Sequence, residues 1–237
     1  MQNTTQQQNK TAVVLLSGGQ DSTTCLFWAL ENFDKVIALG FDYGQKQKKE
    51  LECAKEICVG LKIDFYTFSL PLLNELTTNA LTRPNIAPDA VGQNVDAPNT
   101  LVEGRNMIFL TYAAVFAKAR GIFDLVTGVS QADNSGYPDC RESFIKSLEI
   151  TLELSMAKSF NIHTPLIHLT KAQIWKLADD LDALDIVRFK TMTCYNGKIS
   201  DGCGACKACS LRSEGFKEFF KNATKTNGAI KYEYTGN

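Results

Sequence analysis

The stretch LLSGGQDSTTCLFWAL, residues 15–30, decides how the chain is interpreted. It continues an apolar, β-branched run that begins at Thr11, and such a run predicts a buried β-strand. Gly18 and Gly19 follow, then small hydroxyl residues with one aspartate, and then apolar residues at helical spacing. The sequence therefore predicts a strand, a tight glycine turn and a helix start, in that order.

A turn of this kind is a candidate anion site. The first N–H groups of a helix lack partners within the helix, the helix dipole adds positive potential, and glycines let a ligand approach the backbone. The turn is not a Walker A motif, because no Gly-Lys-Ser/Thr follows, and Gln20 breaks the dinucleotide fingerprint. Its pattern Ser-Gly-Gly-x-Asp-Ser instead resembles the PP-loop of ATP pyrophosphatases, in which the turn binds ATP phosphates while the α-phosphate is attacked. The alternative is a plain turn in which Asp21 and Ser22 cap the helix.

Asp21 is the only carboxylate in this turn. A carboxylate beside polyphosphate would repel it unless a cation lies between them, and Mg²⁺ is commonly held by one carboxylate together with phosphate oxygens. We therefore expect Asp21 to bind Mg²⁺, with helix capping as the alternative.

The rest of the chain alternates strand and helix patterns with short connections. This alternation predicts an α/β fold with a doubly wound, mostly parallel sheet. We expect a nucleotide-binding domain over 11–185, a zinc-binding segment with a C-terminal helix over 186–225, and loose tails at 1–10 and 226–237. The segment Asn79–Thr100, rich in Pro, Asn and Asp, predicts a long loop of the lid or binding type.

Composition excludes several classes of protein. Of the 237 residues, 44% are hydrophobic and 22% charged, which is typical of a globular protein with a sizeable core. The 25 Lys and Arg residues balance the 26 Asp and Glu residues, so we expect no extended nucleic-acid surface. The chain has no apolar run of membrane-spanning length and no signal-peptide pattern at its start, so we expect a cytoplasmic protein without a membrane partner.

Four of the eight cysteines are crowded together, with the spacing C-x8-C-x2-C-x2-C. In a reducing compartment such crowding favours a metal over disulfides. Four thiolates suit a closed, tetrahedral structural zinc site, whereas an iron–sulfur cluster is the alternative. The predicted ligands are Cys194, Cys203, Cys206 and Cys209.

Three further stretches carry polar residues where ligands bind in such folds. Arg105 and Asn106 directly precede an apolar helix pattern. The segment 133–141, DNSGYPDCR, follows a predicted strand, and ligands bind at the carboxyl ends of strands in open α/β sheets. Lys171 lies in the first turn of a helix, where the dipole disfavours a cation unless it faces an anion such as phosphate.

Together these segments resemble the 7-cyano-7-deazaguanine synthase family, nitrile-forming enzymes of queuosine and archaeosine precursor synthesis. The resemblance covers residues 12–220 and rests on SGGQDSTT, FDYGQ, GRN, SGYPDCR, HTPL with TKA, and TCYNG followed by DGCGACKAC. The chain departs from the family pattern at SQADN, 130–134, where a more acidic, aromatic-containing stretch is expected. The resemblance implies an adenine nucleotide alpha hydrolase-like, Rossmann-like fold, a homodimer, and a C–N-bond-forming ligase that converts 7-carboxy-7-deazaguanine, ammonia and ATP to the nitrile.

The implied roles follow from these motifs. We expect Asp21, Lys171 and Arg105 to serve catalysis, with Lys171 on phosphate and Arg105 on substrate carboxylate or phosphate; a solvated lysine and a helix-start salt bridge are the alternatives. The predicted substrate-binding residues are Asp133, Tyr137, Asp139 and Arg141, with a capped turn as the alternative for Asp139. The predicted ATP-binding residues are Leu16, Ser17, Gly18, Gly19, Gln20, Asp21, Ser22, Thr23, Thr24, Cys25 and Leu26, with Tyr43 and Gln45 beside the nucleotide.

Two other functional interpretations of the sequence are possible. Another PP-loop enzyme, such as a tRNA thiolase or lysidine synthase, would need a basic tRNA-binding face or an added domain. A zinc-ribbon interaction module would leave the catalytic motifs unexplained. The two histidines, His163 and His168, are expected to be structural, and Cys140 is expected to be a buried structural cysteine rather than a nucleophile.

Overall fold

The computed structural model describes residues 10–83, 85–88, 98–131 and 137–226. Its regular elements, in chain order, are β1 (Thr11–Leu15), α1 (Gln20–Asn32), β2 (Lys35–Asp42), α2 (Lys49–Leu61), β3 (Asp64–Ser69), α3 (Pro71–Leu76), α4 (Arg105–Lys118), β4 (Asp124–Val126), α5 (Glu142–Met156), β5 (Asn161–His163), α6 (Lys171–Asp180), α7 (Leu184–Phe189) and α8 (Lys207–Thr226). The predicted alternation of strands and helices is therefore present.

The strands form one sheet in the order β3-β2-β1-β4-β5, and every neighbouring pair is parallel. Val13 of β1 is paired with Ile37 of β2 on one side and with Leu125 of β4 on the other. The chain leaves β1 toward one edge and later returns to its other side, so the order reverses at β1. The prediction of a doubly wound parallel sheet is confirmed, and the reversal point is where such sheets bind ligands.

Alternate residues of β1 face opposite sides of the sheet. Val13 packs in a buried cluster with residues of α4 and α5, whereas Ala12 and Val14 pack in a second cluster with residues of α1 and α2. A strand buried on both faces needs apolar residues at every position, which explains the unbroken run TAVVLL. The sheet is thus the middle of three layers.

The C-terminal helices form a separate packing unit beside this sheet. Trp175 of α6 and Phe216 of α8 meet edge to face with ring centroids 5.0 Å apart, in a buried cluster that includes residues of α7. Thr170 caps the start of α6, and Gln173 completes a capping box with it. The C-terminal helix expected within 186–225 is α8, which begins directly after Cys206 and contains Cys209.

The strand before the segment 133–141 is shorter than its apolar pattern DLVTGVS, 124–130, predicts. β4 ends at Val126. Thr127 N still donates to His163 O at the end of β5, whereas Gln131 N donates to Ile167 O beyond the strand. A Cβ at Gly128 would meet the backbone of Asp21 and Ser22 within 3.0 Å, so this turn lies directly against the start of α1. The long predicted loop is closed at its base by a hydrogen bond from Ala80 N to Asn99 O, whereas residues 84 and 89–97 within it lie outside the described part.

Candidate nucleotide and substrate site

A single cavity of about 380 Å³ opens at the carboxyl ends of β1 and β2. It is lined by the turn between β1 and α1, the ends of β2 and β4, and the starts of α2, α4, α6 and α8. Its size lies within the range usual for small-molecule sites. The segments that the sequence singled out separately are therefore brought to one place.

The glycine turn is held in shape by its own side chains and by α2. Ser17 Oγ accepts from Gly19 N at 3.2 Å, and Ser22 Oγ accepts from Ser17 N at 3.2 Å. Gly18 has a φ of +96°, and a Cβ there would collide with the backbone oxygen of Glu50. Only glycine fits this close approach in this conformation.

The helix after the turn begins without a side-chain cap. α1 starts at Gln20, its N-cap residue is Gly19, and Asp21 lies inside the first turn. The alternative in which Asp21 and Ser22 cap this helix is therefore not the observed arrangement. The turn presents backbone N–H groups and a helix dipole toward the cavity, as an anion site requires.

Asp21 and Lys171 form an ion pair across the cavity, with Lys171 Nζ 2.7 Å from Asp21 Oδ2. Their side chains are 28% and 15% exposed, so the alternative of a solvated lysine is wrong. Gly215 of α8 packs against Lys171, and a Cβ at that glycine would collide with the Cβ of Lys171. The other oxygen of Asp21, Oδ1, is buried without a hydrogen-bond partner in the described part of the chain. A buried carboxylate oxygen of this kind is suited to a cation.

The predicted ATP-binding stretch consists of residues that line the cavity, residues buried behind them, and Gly18, which packs against the backbone of Glu50. The residues that line the cavity are Leu16, Ser17, Gly19, Gln20, Asp21 and Ser22. The residues beyond them, Thr23, Thr24, Cys25 and Leu26, are buried in α1 against the sheet. Thr24 Oγ1 donates to Gln20 O within the helix, so its hydroxyl serves the helix itself.

Beyond the glycine turn, the cavity is lined by tyrosines around one arginine. Arg105 Nη1 donates to Tyr43 Oη at 3.4 Å, and the Tyr137 and Thr100 hydroxyls lie 2.8 Å apart. Burial opposes the charge of Arg105, but Tyr43, Tyr137 and Asp139 outweigh it and raise the arginine's pKa. The guanidinium is therefore a fixed positive charge in a partly apolar cavity, as a carboxylate or phosphate ligand requires.

The four predicted substrate residues have different surroundings. Tyr137 lines the cavity, whereas Arg141 is exposed and is not part of the lining. Asp139 is buried, and its Oδ2 accepts from Asn106 N at 2.9 Å, so it caps the start of α4 rather than the turn that contains it. Asp133 lies outside the described residues.

The segment from Thr193 to Arg212 lines the cavity to an extent that the sequence did not reveal. Thr193 Oγ1 accepts from Gln20 N at 3.3 Å and from Arg212 Nη1 at 3.0 Å. Tyr195 and Lys207 also line the cavity, and burial raises the pKa of Tyr195 to about 12. The motif TCYNG contains the predicted metal ligand Cys194, and its pattern alone assigns no role at the cavity to Thr193 or Tyr195.

Glu50 is a second residue that sequence reasoning missed. It lies in the first turn of α2, and a Cβ at Gly19 would be 3.1 Å from its Oε1. Burial raises the pKa of Glu50 to about 7, although a hydrogen bond from Ser17 and the charge of Arg105 oppose the rise. This glutamate lies within the charged helix pattern QKQKKELE, where a solvated residue is the ordinary expectation.

The predicted metal ligands are brought together. The Sγ atoms of the four cysteines, Cys194, Cys203, Cys206 and Cys209, all lie within 4.8 Å of one another. Nearby N–H groups point at these sulfurs: Asn196 N donates to Cys194 Sγ at 3.3 Å, and Ala205 N donates to Cys203 Sγ at 3.5 Å. The hydrogen bonds from Ala205 and Asn196 lower the pKa of Cys203 to about 6, which favours the thiolate that binds metal. The donor set and its compactness fit one tetrahedral ion.

Neither histidine lines the cavity, as expected for structural residues. His163 Nε2 is 2.8 Å from Asp124 Oδ1, and its ring packs against Trp28 and Phe33. Cys140 is buried at the cavity, where Asn106 Nδ2 donates to its Sγ at 3.4 Å. In the part of the chain that the structure describes, no helix is long and apolar enough to span a membrane.

Several known proteins resemble this chain over most of its length. The chain is 55% identical over 214 residues to a 7-cyano-7-deazaguanine synthase of Clostridium botulinum (strain 657 / Type Ba4), covering 90% of this chain and 98% of that protein. It is 52% identical over 218 residues to the synthase of the same name from Bacteroides fragilis, covering 92% of this chain and all of that protein.

Among solved structures, a 4-thiouridine synthetase in complex with RNA and bound ATP matches with a TM-score of 0.52. The identity is 18%, and the match covers 88% of this chain and 53% of that one, so the likeness concerns the fold alone. The model of the queuosine biosynthesis protein QueC family matches residues 11–220. On these grounds the chain belongs to the QueC family of queuosine biosynthesis proteins.

Proposed function

We propose that this chain catalyses the ATP-dependent conversion of 7-carboxy-7-deazaguanine and ammonia to 7-cyano-7-deazaguanine, the activity for which its relatives are named. The observation behind the proposal is that the glycine turn and Arg105 line one cavity. This proximity supports the proposal that ATP binds at the turn while the acid's carboxylate binds at Arg105.

The chemistry explains why both are needed. A carboxylate is a poor acyl donor because its oxygen is a poor leaving group. Attack of the carboxylate on the α-phosphorus of ATP gives an acyl adenylate and pyrophosphate, and ammonia then displaces AMP to give an amide. A second activation, of the amide oxygen, allows its loss and leaves the nitrile. The protein's task is to align the reacting groups and to stabilise the charge that develops on phosphate.

The PP-loop residues Ser17–Ser22 are proposed to hold the β- and γ-phosphates through backbone N–H groups and hydroxyls. Arg105 holds the carboxylate of the acid close to the α-phosphate. Tyr43 fixes the guanidinium by accepting its hydrogen bond, and Tyr137 and Tyr195 surround the deazapurine ring. Asp139 acts through α4, because it caps the helix that begins with Arg105.

Asp21 and Lys171 complete the phosphate site. The buried Oδ1 of Asp21 fits a Mg²⁺ ion, which when bound would neutralise phosphate charge and orient the phosphate oxygens. Lys171 already neutralises Asp21 and lies within reach of the same phosphates. We propose that the lysine transfers part of its hydrogen bonding to phosphate when ATP and Mg²⁺ enter.

The four cysteines are proposed to hold one structural Zn²⁺ ion. A closed site of four thiolates supplies no open position for chemistry, but it fixes the segment that carries Thr193 and Tyr195. Metal binding would therefore stabilise the cavity lining as well as the C-terminal fold.

The remaining proposals concern the protein's surroundings. We propose a cytoplasmic homodimer that uses small molecules and no nucleic acid. The outward-facing Ile150 and Leu154 of α5 support a contact between copies, since they are 61% and 80% exposed. Light scattering would show twice the chain mass, and the double variant I150E/L154E would reduce it to one chain mass if this contact forms the dimer.

The proposed reaction is tested by incubating the pure protein with ATP, Mg²⁺, ammonium and 7-carboxy-7-deazaguanine. Mass spectrometry should detect the nitrile, and omission of ATP, acid or ammonium should each abolish it. Tight, saturable tRNA binding without nitrile formation would instead support a tRNA-modifying PP-loop enzyme. Absence of both ATP turnover and tRNA binding would support a zinc-ribbon interaction module.

A further inference from the structure

Glu50 lies where the two halves of the cavity meet. Its Oε1 lies over Gly19 of the glycine turn, and its charge acts on Tyr43 and Arg105 of the tyrosine-lined half. Its backbone oxygen is in contact with Gly18, so the residue cannot move away from the turn without disturbing it. A partly buried carboxylate is thus fixed between the phosphate site and the acid site.

The proposed reaction requires a base at this junction. When ammonia attacks the acyl adenylate, a carbon–nitrogen bond forms, the carbon–oxygen bond to AMP breaks, and AMP leaves with the bonding electrons. The attacking nitrogen becomes positively charged and must release a proton before the neutral amide forms. None of the other acids described at the cavity is as well placed: Asp21 is paired with Lys171, and Asp139 caps α4.

We propose that Glu50 is the general base of the ammonia step, accepting the proton that the attacking nitrogen releases and passing it to solvent. The inference rests on the proposed function, and it adds a role that the PP-loop resemblance did not assign. Neither adenylation nor ATP binding requires this proton transfer, so the two half-reactions respond differently to loss of the carboxylate.

The electrostatic surroundings of Glu50 are consistent with this role. Ser17 from the glycine turn and Arg105 from α4 favour the carboxylate, whereas burial favours the protonated acid; on balance the pKa is raised to about 7. Tyr43 at the end of β2 and Cys53 on the same helix also sense its charge. A base whose pKa lies near the working pH combines the correct ionisation with adequate basicity.

The test compares Glu50→Gln with the wild-type chain in two assays at pH 7.5. The first assay is acid-dependent ATP–pyrophosphate exchange, which reports adenylation alone. The second is the single-turnover rate of amide formation from ammonium, measured by mass spectrometry. Glu52→Gln, an exposed position on the same helix, is the matched control, and thermal unfolding checks that each variant is folded.

We expect E50Q to retain exchange within about threefold while amide formation falls roughly 100-fold, the usual contribution of a general base. Hydroxylamine is a weaker base than ammonia, and its adduct loses the proton more readily. With hydroxylamine as the nucleophile, E50Q should therefore lose less of its rate than it does with ammonia. At a constant concentration of free ammonia, the wild-type rate should decline below pH 7, and E50Q should lack that decline. E52Q should match the wild type in every assay.

Three results would overturn the proposal. The first is an equal loss of rate in both assays, which would mean that Glu50 only supports the turn. The second is full activity of E50Q. The third is a pH profile of E50Q that matches that of the wild type. If E50Q does not fold, Glu50→Asp takes its place, and equal losses in both assays for E50D would contradict the base role. Failure of the wild-type chain to catalyse exchange at all would instead contradict the proposed function.

Discussion

Lys171 Nζ lies 2.7 Å from Asp21 Oδ2, although 150 residues separate the two in sequence. The pair joins the first turn of α1 to the first turn of α6, both of which point their N-terminal ends at the cavity. Two helix dipoles and one ammonium group thus provide positive potential, and one carboxylate is available for a cation. This arrangement is suited to a magnesium-bound polyphosphate.

Replacement of Lys171 by alanine should slow acid-dependent ATP–pyrophosphate exchange by roughly 100-fold, as removal of one preorganised charge typically does. The exposed Lys176 on the same helix forms an ion pair with Asp180, and K176A is the control expected to keep wild-type exchange. Exchange by K171A within a factor of two of the wild type would show that Lys171 does not act on phosphate.

Replacement of Gly18 by alanine should abolish ATP binding, because its Cβ would collide with Glu50 O and its φ of +96° is unfavourable for alanine. A Cβ at Gly60 in α2 would meet no atom within 4 Å outside its own turn of helix. G60A should therefore leave ATP binding intact and stabilise the helix by about 0.5–1 kcal/mol. Isothermal titration calorimetry with ATP and Mg²⁺ measures the ATP affinity of both variants. Chemical denaturation measures their stability. Normal ATP affinity in G18A would contradict the close contact.

The pure protein should contain one zinc ion per chain, measured by inductively coupled plasma mass spectrometry. It should be colourless, whereas an iron–sulfur cluster would absorb visible light. Cys206→Ser should reduce zinc content and the thermal midpoint together. It should also weaken ATP binding, because Thr193, which accepts from Gln20 N, directly precedes the predicted ligand Cys194.

The stability of the chain should depend on Glu50 in a defined direction. Its folded-state pKa of about 7 is above the ordinary value of 4.5. The contribution of this carboxyl to the free energy of unfolding is therefore complete below pH 4.5 and is lost as the pH rises through 7. E50Q should therefore become more stable than the wild type by about 1–3 kcal/mol at pH 8, but not at pH 4.5. Urea unfolding at the two pH values measures the difference. A constant difference would indicate that Glu50 ionises normally.

Much of the fold could be predicted, because its determinants are local. The unbroken apolar run at β1 requires burial on both faces, and the glycine pair after it requires a tight turn. The cysteine spacing likewise predicted a cluster that the structure brings within 4.8 Å. In contrast, the end of β4 at Val126 depends on the contact between Gly128 and α1, which no local pattern reveals.

The site was harder to predict where tertiary contacts assign the roles. Glu50 resembles any solvated glutamate of a charged helix, and only packing against Gly18 and Gly19 distinguishes it. Asp139 looked like a substrate ligand, but its contact with Asn106 N places it at a helix start. The proximity of Thr193 to the glycine turn depends on Arg212, which donates to it from α8.

The most direct test of the central claim is a crystal structure with a non-hydrolysable ATP analogue, Mg²⁺ and 7-carboxy-7-deazaguanine. We expect the β- and γ-phosphates to accept hydrogen bonds from the turn 17–22 and the acid's carboxylate to bind Arg105. A triphosphate bound elsewhere, with the turn in contact only with solvent, would contradict it.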